Sequence, residues 1–340
     1  MSSNIESNIE SNIDFLHEYA NYIDMQIANF MRNKEYPNSV YQPIKDFLAL
    51  GGKRFRPALT MISAEMFGLR KDEVLKPALA IELFHNFTLI HDDIEDNSEL
   101  RRGKPCIHKT YGIPIAINAG DGLFILVWDL LTDLQYGFEI NREVQRFLLK
   151  TFKEVLEGQG VELDWITNNK WEIKEDDYYK MVYGKTGSLI SGSLAVSGII
   201  AKATNESIND LAEFGKLIGI AFQIQDDYLN LFGEVEKYKK EIGGDISEGK
   251  RTLMTIHALQ NLNKKDSLEL KDILSQKTKD VKKISRAIEL IKKSNSHMYA
   301  KNRADELISK AINIAEERFP NNVYKERLLT LAKYLVKREH

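Results

Sequence analysis

The segment LIHDDIEDNSELRRGKP, residues 89–105, carries three aspartates spaced to act together. Asp92, Asp93 and Asp96 stand one and four residues apart, so a helix through them places their carboxylates along one side, about one turn apart. Like charges at this spacing repel one another unless a cation lies among them, and hard cations prefer carboxylate oxygens. Two cations, Arg101 and Arg102, follow closely. The combination predicts a site for a phosphorylated ligand held through magnesium.

A second acidic cluster repeats the pattern in FQIQDDYLNLFG, residues 222–233. Asp226, Asp227 and Asn230 keep the one-and-four spacing and again follow apolar turns. A single cluster of this kind is most often a solvated acidic face, but two copies at the ends of apolar helices rarely coincide by accident. In a helical bundle, two such helices can hold magnesium ions between them.

Basic residues precede the first cluster in GGKRFRP, residues 51–57. Lys53, Arg54 and Arg56 follow two glycines that let the backbone approach a ligand, and an anion at this predicted helix start would also meet free amide groups. The alternative is a helix start with solvated arginines. His85 lies two helical turns before Asp92 on the same face, where a packed histidine is commoner than a ligand.

The segment GKTGS, residues 184–188, resembles the end of a phosphate-binding P-loop. It follows no strand and lacks the upstream glycine, so the P-loop interpretation fails. Lys185 and Thr186 still lie in an otherwise apolar segment and need a partner, which a diphosphate would supply. Gln223 could bond the same ligand or be satisfied by the backbone.

Apolar residues recur with helical spacing along most of the chain, and no stretch alternates as a strand does. The pattern predicts an all-α fold: a single domain over 13–340, with ten or more helices around a central apolar cavity. Residues 1–12 repeat Ser-Asn-Ile-Glu and are interpreted as a frayed tail or a weak helical extension. Helices are predicted over about 13–31, 57–67, 72–96, 114–134, 142–157, 175–203 and 207–232, with several more over 252–337.

Composition and charge argue against several classes of protein. The 340 residues include 47 basic and 50 acidic ones, a net charge of −3, which argues against a nucleic-acid binder that relies on a broad basic surface. Cys106 is the single cysteine, which excludes an intrachain disulfide and a cysteine-rich zinc site. The chain starts without a signal-peptide pattern, and its most apolar run, 122–131, is far shorter than the ~20 residues of a membrane helix. A soluble, cytoplasmic protein without a membrane span is expected.

From about Gly51 to Lys337, the chain resembles the trans (E-type) isoprenyl diphosphate synthases. The resemblance is carried by GGKRFRP, DDIEDNSELRRGKP, GKTGSL, FQIQDDYLNLFG and KEIGGD with EGKRT, five motifs in the family order. It implies the isoprenoid synthase fold, a homodimer, and condensation of isopentenyl diphosphate with an allylic diphosphate through a carbocation. Asn230 stands where many relatives have aspartate, but an asparagine carbonyl can still bind a metal or a metal-bound water, so activity is expected to survive.

The resemblance also implies roles for individual residues. Two or three magnesium ions are held by Asp92, Asp96 and Asp226, with Asp93 and Asp227 in support; with Lys185, these aspartates form the catalytic set. The diphosphate of isopentenyl diphosphate is bound by Lys53, Arg56, His85 and Arg102. The allylic diphosphate is bound by Arg101, Lys185, Thr186, Gln223, Lys240 and Lys250.

Product length is predicted from the residues below the first cluster. Phe87 and Thr88 precede Asp92 by five and four residues, a rise of about 6 to 8 Å along the helix. An aromatic residue followed by a small one resembles geranylgeranyl diphosphate synthases, which stop at twenty carbons. A farnesyl or longer-chain synthase is the alternative, and a terpene cyclase or a non-catalytic prenyl synthase subunit is a more distant one.

Overall fold

The computed structural model describes residues 14–233 and 242–337, and helices make up most of this part of the chain. The expected all-α fold is confirmed. The predicted tail with the Ser-Asn-Ile-Glu repeat, residues 1–12, lies outside the described residues, as does Lys240. In chain order the helices are α1 (Asp14–Met31), α2 (Asn38–Ala49), α3 (Phe55–Met66), a 3-10 turn (Lys71–Val74), α4 (Leu75–Glu95), α5 (Ile107–Tyr111), α6 (Ile113–Thr132), α7 (Phe138–Thr167), α8 (Glu175–Val182), a π-helical turn (Tyr183–Gly187), α9 (Ser188–Ile200), α10 (Asn205–Phe232), α11 (Gly244–Glu248), α12 (Leu253–Asn261), α13 (Lys264–Ser275), α14 (Val281–Lys293), α15 (Ser296–Arg318) and α16 (Val323–Lys337).

Several predicted helices differ from the observed ones. The predicted cap at Asp72 is wrong: this residue lies in the 3-10 turn and its carboxylate accepts from the Arg70 side chain, so α4 begins later, at Leu75. The helix predicted over 142–157 extends from 138 to 167, and near its C-terminal end Trp165, 8% exposed, continues the buried face. The helix predicted over 175–203 is divided by a π-helical turn at GKTG. The expected absence of strands is corrected by a two-residue antiparallel hairpin, β1 (Leu100–Arg101) and β2 (Lys104–Pro105).

The described residues form two compact units, each made of three stretches of chain. The first comprises 14–150, 192–212 and 319–331, and in it α4 packs against α3 and α6. The second comprises 151–191, 213–318 and 332–337 apart from the undescribed gap, and in it α12 packs against α15. The single-domain boundary of 13–340 stays a prediction.

Helix α6 is more apolar than expected. By length and composition its 20 residues could span a membrane. Of the most apolar 18-residue stretch of this helix, 44% is buried inside the protein. The core helix of a soluble protein passes the same test. The apolar run of about ten residues expected from the sequence is therefore shorter than the apolar helix α6 that contains it.

Candidate active site

The first aspartate cluster lies at the C-terminal end of α4. Asp92 and Asp93 belong to the last turn, and the backbone N–H of Asp96 donates to the Asp92 carbonyl oxygen at 2.9 Å. The preceding turns are largely buried, which fixes the position of this helix end. Asp93 is only 1% exposed, whereas Asp92 is half-buried and Asp96 is exposed. The accessible carboxylates of the cluster are therefore those of Asp92 and Asp96.

Asp93 is held by the first of the two neighbouring arginines. Arg101 Nε donates to Asp93 Oδ1 at 2.9 Å, and Arg101 Nη2 donates to the same oxygen. The hairpin turn between the strands contains Arg102 and Gly103, both with positive φ (52° and 76°), as two-residue hairpin turns require. Arg102 Nη1 donates to the carbonyl oxygen of Gly51. The two adjacent arginines thus have different partners, one in α4 and one in the GGKRFRP segment.

Arg54 of GGKRFRP is a structural residue. Its side chain is fully buried and donates to Glu82 Oε1 at 2.7 Å, to Asp24 Oδ1 at 2.8 Å and to the Leu48 carbonyl oxygen at 2.9 Å. Because two carboxylates neutralise its charge, Arg54 stabilises the segment rather than attracting an anion. Breaking a buried pair of this kind commonly costs several kcal/mol.

Arg56 and His85 form the centre of the predicted isopentenyl diphosphate site. Arg56 Nη1 donates to His85 Nε2 at 3.2 Å, which requires an unprotonated Nε2 because guanidinium N–H groups can only donate. Arg56 Nε is buried without a hydrogen-bond partner in the described structure. Lys53 is exposed in the loop before α3. The predicted set therefore lies on α3, α4 and the loops flanking them.

Positive charge dominates this group. Burial, followed by repulsion from Arg56 and Arg102, lowers the pKa of His85 well below its usual value. Burial also lowers the pKa of Arg56 to about 10, although Glu82 opposes the shift. Burial and then the Arg54 charge lower the pKa of Arg102. An anion bound here would favour the charged form of each arginine, so the group fits a diphosphate.

His85→Gln is expected to reduce the loss of stability in acid. An unfolded histidine binds a proton near pH 6.5, whereas folded His85 stays neutral to lower pH, so the free energy of unfolding falls as the pH drops below about 6.5, by at most ~1.4 kcal/mol per pH unit. Urea unfolding at about pH 7.5 and about pH 5 should show a smaller decrease for His85→Gln than for the wild type. His17→Gln, at an exposed position of α1, is the control. Equal decreases in wild type and His85→Gln would contradict the assignment.

The second aspartate cluster lies at the end of α10, where Asp226 is half-buried and Asp227 is buried. A chain of side chains fixes Asp227. Tyr178 OH donates to Asp227 Oδ2 at 2.8 Å, and Gln223 Nε2 donates to Asp227 Oδ1 at 2.8 Å. Thr186 Oγ1 donates to Gln223 Oε1, also at 2.8 Å. Gln223 and Thr186 therefore belong to one network with the aspartate cluster.

Asn230 positions the next loop. Its side-chain Oδ1 accepts from the backbone N–H of Asp245 at 3.0 Å, and its backbone carbonyl accepts from Gly243 at 2.8 Å. The side-chain oxygen that was expected to bind a metal is therefore used to cap the start of α11. Burial raises the pKa of Asp245 to about 6; Lys250 opposes this shift, while Glu248 and Asp226 add to it.

The lysines of this region are paired with carboxylates. Lys185, in the π-helical turn, contacts Glu162 of α7. Lys250 Nζ lies 3.5 Å from Asp245 Oδ1 and also contacts Glu248. Phosphate oxygens could take the place of these carboxylates, because both are anionic acceptors of charge-assisted hydrogen bonds.

Glycines position the π-helical turn. A Cβ atom at Gly158 of α7 would lie 2.2 Å from the backbone nitrogen of Lys185, and one at Gly219 of α10 would lie 2.6 Å from the α-carbon of Gly187. Only residues without a side chain permit these approaches. The close packing of the three segments brings Lys185 to α7 and Thr186 to α10.

Phe87 lies below the first aspartate cluster within a group of aromatic rings. Its ring centroid is 5.5 Å from that of Phe84, 5.4 Å from that of Phe124 and 4.8 Å from that of His91. Thr88 Oγ1 donates to the His85 carbonyl oxygen at 2.8 Å, so it is held against its own helix. Phe87 and Phe124, on α4 and α6, therefore form an aromatic layer one to two turns below Asp92.

Each of the two acidic clusters has, by itself, side chains that suit a magnesium ion. Asp93 Oδ2 is buried without a hydrogen-bond partner in the described structure, and burial followed by repulsion from Asp245 raises the pKa of Asp227 well above its usual value. A divalent cation beside either cluster would offset the effect in that cluster. Within 14–233 and 242–337, no group of three histidine, cysteine or acidic side chains forms a ready-made metal cage. Magnesium is usually held by one or two carboxylates together with substrate phosphates.

Comparison with known proteins decides the family. The family model described as polyprenyl synthetase matches residues 37–291. The chain belongs to the polyprenyl synthetase family. A short chain isoprenyl diphosphate synthase of Methanocaldococcus jannaschii is 39% identical over 275 residues, covering 80% of this chain and 81% of that protein. A geranylgeranyl diphosphate synthase of Saccharolobus solfataricus is 33% identical, covering 95% and 97%. The crystal structure of a geranylgeranyl pyrophosphate synthetase from Pyrococcus horikoshii Ot3 superposes with a TM-score of 0.89 at 35% identity, covering 97% and 99%.

Sequence reasoning missed several residues of this polyprenyl synthetase site. Tyr178 lies 49 positions before Asp227 in the chain, and no local pattern connects them. Glu162, Glu82 and Phe124 are likewise distant in sequence from their partners. The single signal in the sequence was the presence of carboxylates in apolar helices, because a buried charge requires a partner.

Proposed function

We propose that this polyprenyl synthetase makes geranylgeranyl diphosphate from isopentenyl diphosphate and an allylic diphosphate. The aromatic layer formed by Phe87 and Phe124 is the observation that supports this product. It lies about 7.5 Å along α4 below Asp92, where an aromatic ring can block further growth of a product chain, and Thr88 is too small to shorten the space above it. Relatives with this activity, noted above, support the same assignment.

The proposed reaction joins two carbon chains. The C–O bond of the allylic diphosphate breaks, the double bond of isopentenyl diphosphate attacks the resulting allylic cation, and the condensed cation then loses a proton to the departed diphosphate, which restores a double bond. Magnesium, when bound to Asp92, Asp96 and Asp226, would neutralise the departing diphosphate. Arg101, Lys185, Thr186, Gln223, Lys240 and Lys250 are proposed to bind that diphosphate, and Asp93 and Asp227 to orient the neighbouring ligands.

The second substrate is proposed to bind at the basic group of α3 and α4. Lys53, Arg56, His85 and Arg102 would hold the diphosphate of isopentenyl diphosphate and thereby orient its double bond. Neutral His85 can donate from its other ring nitrogen while Nε2 accepts from Arg56. The apolar residues of α4 would exclude water from the carbocation.

One assay tests the proposal. Purified protein is incubated with labelled isopentenyl diphosphate and dimethylallyl, geranyl or farnesyl diphosphate, with and without magnesium, and the dephosphorylated prenols are separated by chromatography. Magnesium-dependent formation of a twenty-carbon product is expected with all three primers. A main product of fifteen carbons, or of more than twenty, would overturn the product assignment, and no condensation would overturn the reaction.

The family resemblance implies a homodimer, and the surface of α6 supports one. Ile113, Ile117 and Ile125 are 52%, 43% and 65% exposed, and their spacing of four and eight residues places them on one face of the helix. Exposed apolar residues on one face are typical of an interface between protein copies. Cytoplasmic localisation stays a prediction.

Ile125→Glu is expected to shift the protein toward a monomer, because it would bury a charge in the apolar contact. Size-exclusion chromatography with light scattering measures the effect. Leu268→Glu, which changes a 58% exposed leucine on α13, is the matched control and should leave the dimer intact. An unchanged mass for Ile125→Glu would exclude this face.

A further inference from the structure

A cavity of about 220 Å³ lies within the second unit, where α12 and α13 meet the segment between α7 and α8. Its wall contains two cations, Arg251 and Lys271, and three neutral polar residues, Thr255, Gln260 and Ser267, but no acidic residue from the described part of the chain. The cavity is smaller than the ~300 to 1,000 Å³ typical of sites for drug-sized ligands, so it suits a small molecule or an ion. None of the residues proposed to bind either substrate lines it.

Arg251 is a buried cation whose hydrogen-bond partners are all neutral. It is only 3% exposed, and its guanidinium donates to the Lys170 carbonyl oxygen at 3.1 Å, to Asn169 Oδ1 at 2.8 Å and to the Gly249 carbonyl oxygen. These three acceptors use three of the five N–H groups of a guanidinium and supply no negative charge. Burial alone lowers the pKa of Arg251 to about 10.

The other buried arginine described above, Arg54, has the usual surroundings of a buried charge. Burial acts to lower its pKa, but the carboxylates of Glu82 and Asp24 raise the pKa above its usual value. A charged side chain is rarely buried unless a group of opposite charge accompanies it. By the same rule, the charge of Arg251 favours an anion in the adjoining cavity.

The second cation and the polar groups of the wall favour the same kind of ligand. Arg251 Cζ lies 3.9 Å from the centroid of the Trp171 ring, and Lys271 Nζ lies 5.6 Å from it, so the two cations share one aromatic neighbour. An anion beside both would reduce their mutual repulsion. The Gln260 amide can donate to it, and so can the Thr255 hydroxyl, which lies 3.2 Å from the hydroxyl of its neighbour Thr252.

We propose that this cavity is a binding site for a small oxyanion of the phosphate type, held by Arg251 and Lys271 with hydrogen bonds from Thr255 and Gln260. Hydrogen bonds from a guanidinium to phosphate oxygens are charge-assisted and therefore strong. The site is separate from the proposed substrate site, because Lys250 contacts Asp245 and Glu248 whereas Arg251 donates toward residues 169–170. The proposal does not depend on the proposed reaction.

A footprinting experiment on the wild-type protein tests the site directly. Lysines are acylated with and without inorganic phosphate, at an ionic strength held constant with sodium chloride, and the modified peptides are quantified by mass spectrometry. Phosphate at ten times its Kd should slow the acylation of Lys271 about tenfold, because occupancy of the site blocks its amine. Lys265, an exposed residue of the same helix that does not line the cavity, should react at an unchanged rate. Acylation of Lys271 that does not respond to phosphate would overturn the proposal.

The same experiment distinguishes two sources of the phosphate group. Glycerol 3-phosphate replaces inorganic phosphate in a second titration. Tighter binding of inorganic phosphate would assign a free ion, and tighter binding of glycerol 3-phosphate would assign a small phosphate ester; either result supports the site. Protection of Lys271 by sodium chloride alone would show that the cavity does not select an oxyanion and would overturn the proposal.

Thermal unfolding of variants provides an independent test. A ligand that binds the folded protein raises the Tm, so phosphate should raise the Tm of the wild type. Lys271→Glu should lose most of this rise, because it replaces an attractive charge with a repulsive one, whereas Lys265→Glu should keep it. The comparison within each variant, with and without phosphate, is unaffected by any change in its basal stability. A full rise in Lys271→Glu would assign the phosphate to another site and overturn the proposal.

Discussion

Asp92→Asn is expected to lower kcat for condensation about a thousandfold or more, since the proposed leaving-group stabilisation depends on the charge of this carboxylate. Asp92 is half-buried at the end of α4, and its neighbour Asp93 is already engaged by Arg101. Asparagine preserves the shape of the side chain but removes a negative oxygen ligand. The kcat is measured with labelled isopentenyl diphosphate at saturating magnesium.

A matched variant separates loss of catalysis from loss of structure. Glu95→Gln removes a carboxylate from the same helix end at an exposed position outside the proposed site, and should retain most of the activity. Thermal unfolding of Asp92→Asn should resemble that of the wild type, because asparagine keeps the size of a side chain that lies at the helix end rather than in the core. Near-normal kcat in Asp92→Asn would remove Asp92 from the proposed magnesium site.

Phe87→Ala is expected to change the main product from twenty carbons to longer chains. Its ring, 8% exposed, contacts the Phe84, Phe124 and His91 rings, and removing it opens space at the level of the aromatic layer. Phe→Ala substitutions in cores cost about 3 to 5 kcal/mol, so the product analysis is made well below the melting temperature. Chromatography of dephosphorylated prenols measures the chain lengths.

Phe47→Ala provides the control for destabilisation. Phe47 is a fully buried residue of α2, so its replacement should reduce stability by a similar amount and leave the product at twenty carbons. Phe124→Ala should also lengthen the product, because Phe124 supports the same layer from α6. An unchanged product in Phe87→Ala would place the determinant of chain length elsewhere.

The amino-acid sequence by itself determined the helical class, the two acidic clusters and the family. Helical periodicity and the one-and-four aspartate spacing are local properties, because residues within one or two turns of a helix have a fixed relative position. For the same reason, the location of Phe87 beneath Asp92 could be predicted from spacing alone.

Only the tertiary structure decided which member of each cluster is accessible. Asp92 and Asp93 are adjacent in sequence, but Asp92 is half-buried whereas Asp93 is buried and accepts from Arg101. Similarly, the charge of Arg54 is neutralised by Glu82, whereas Arg56 donates to His85. These differences depend on partners from other helices, which local spacing does not specify. Tyr178 reaches Asp227 for the same reason: packing brings together groups 49 residues apart, and burial then makes their hydrogen bond necessary.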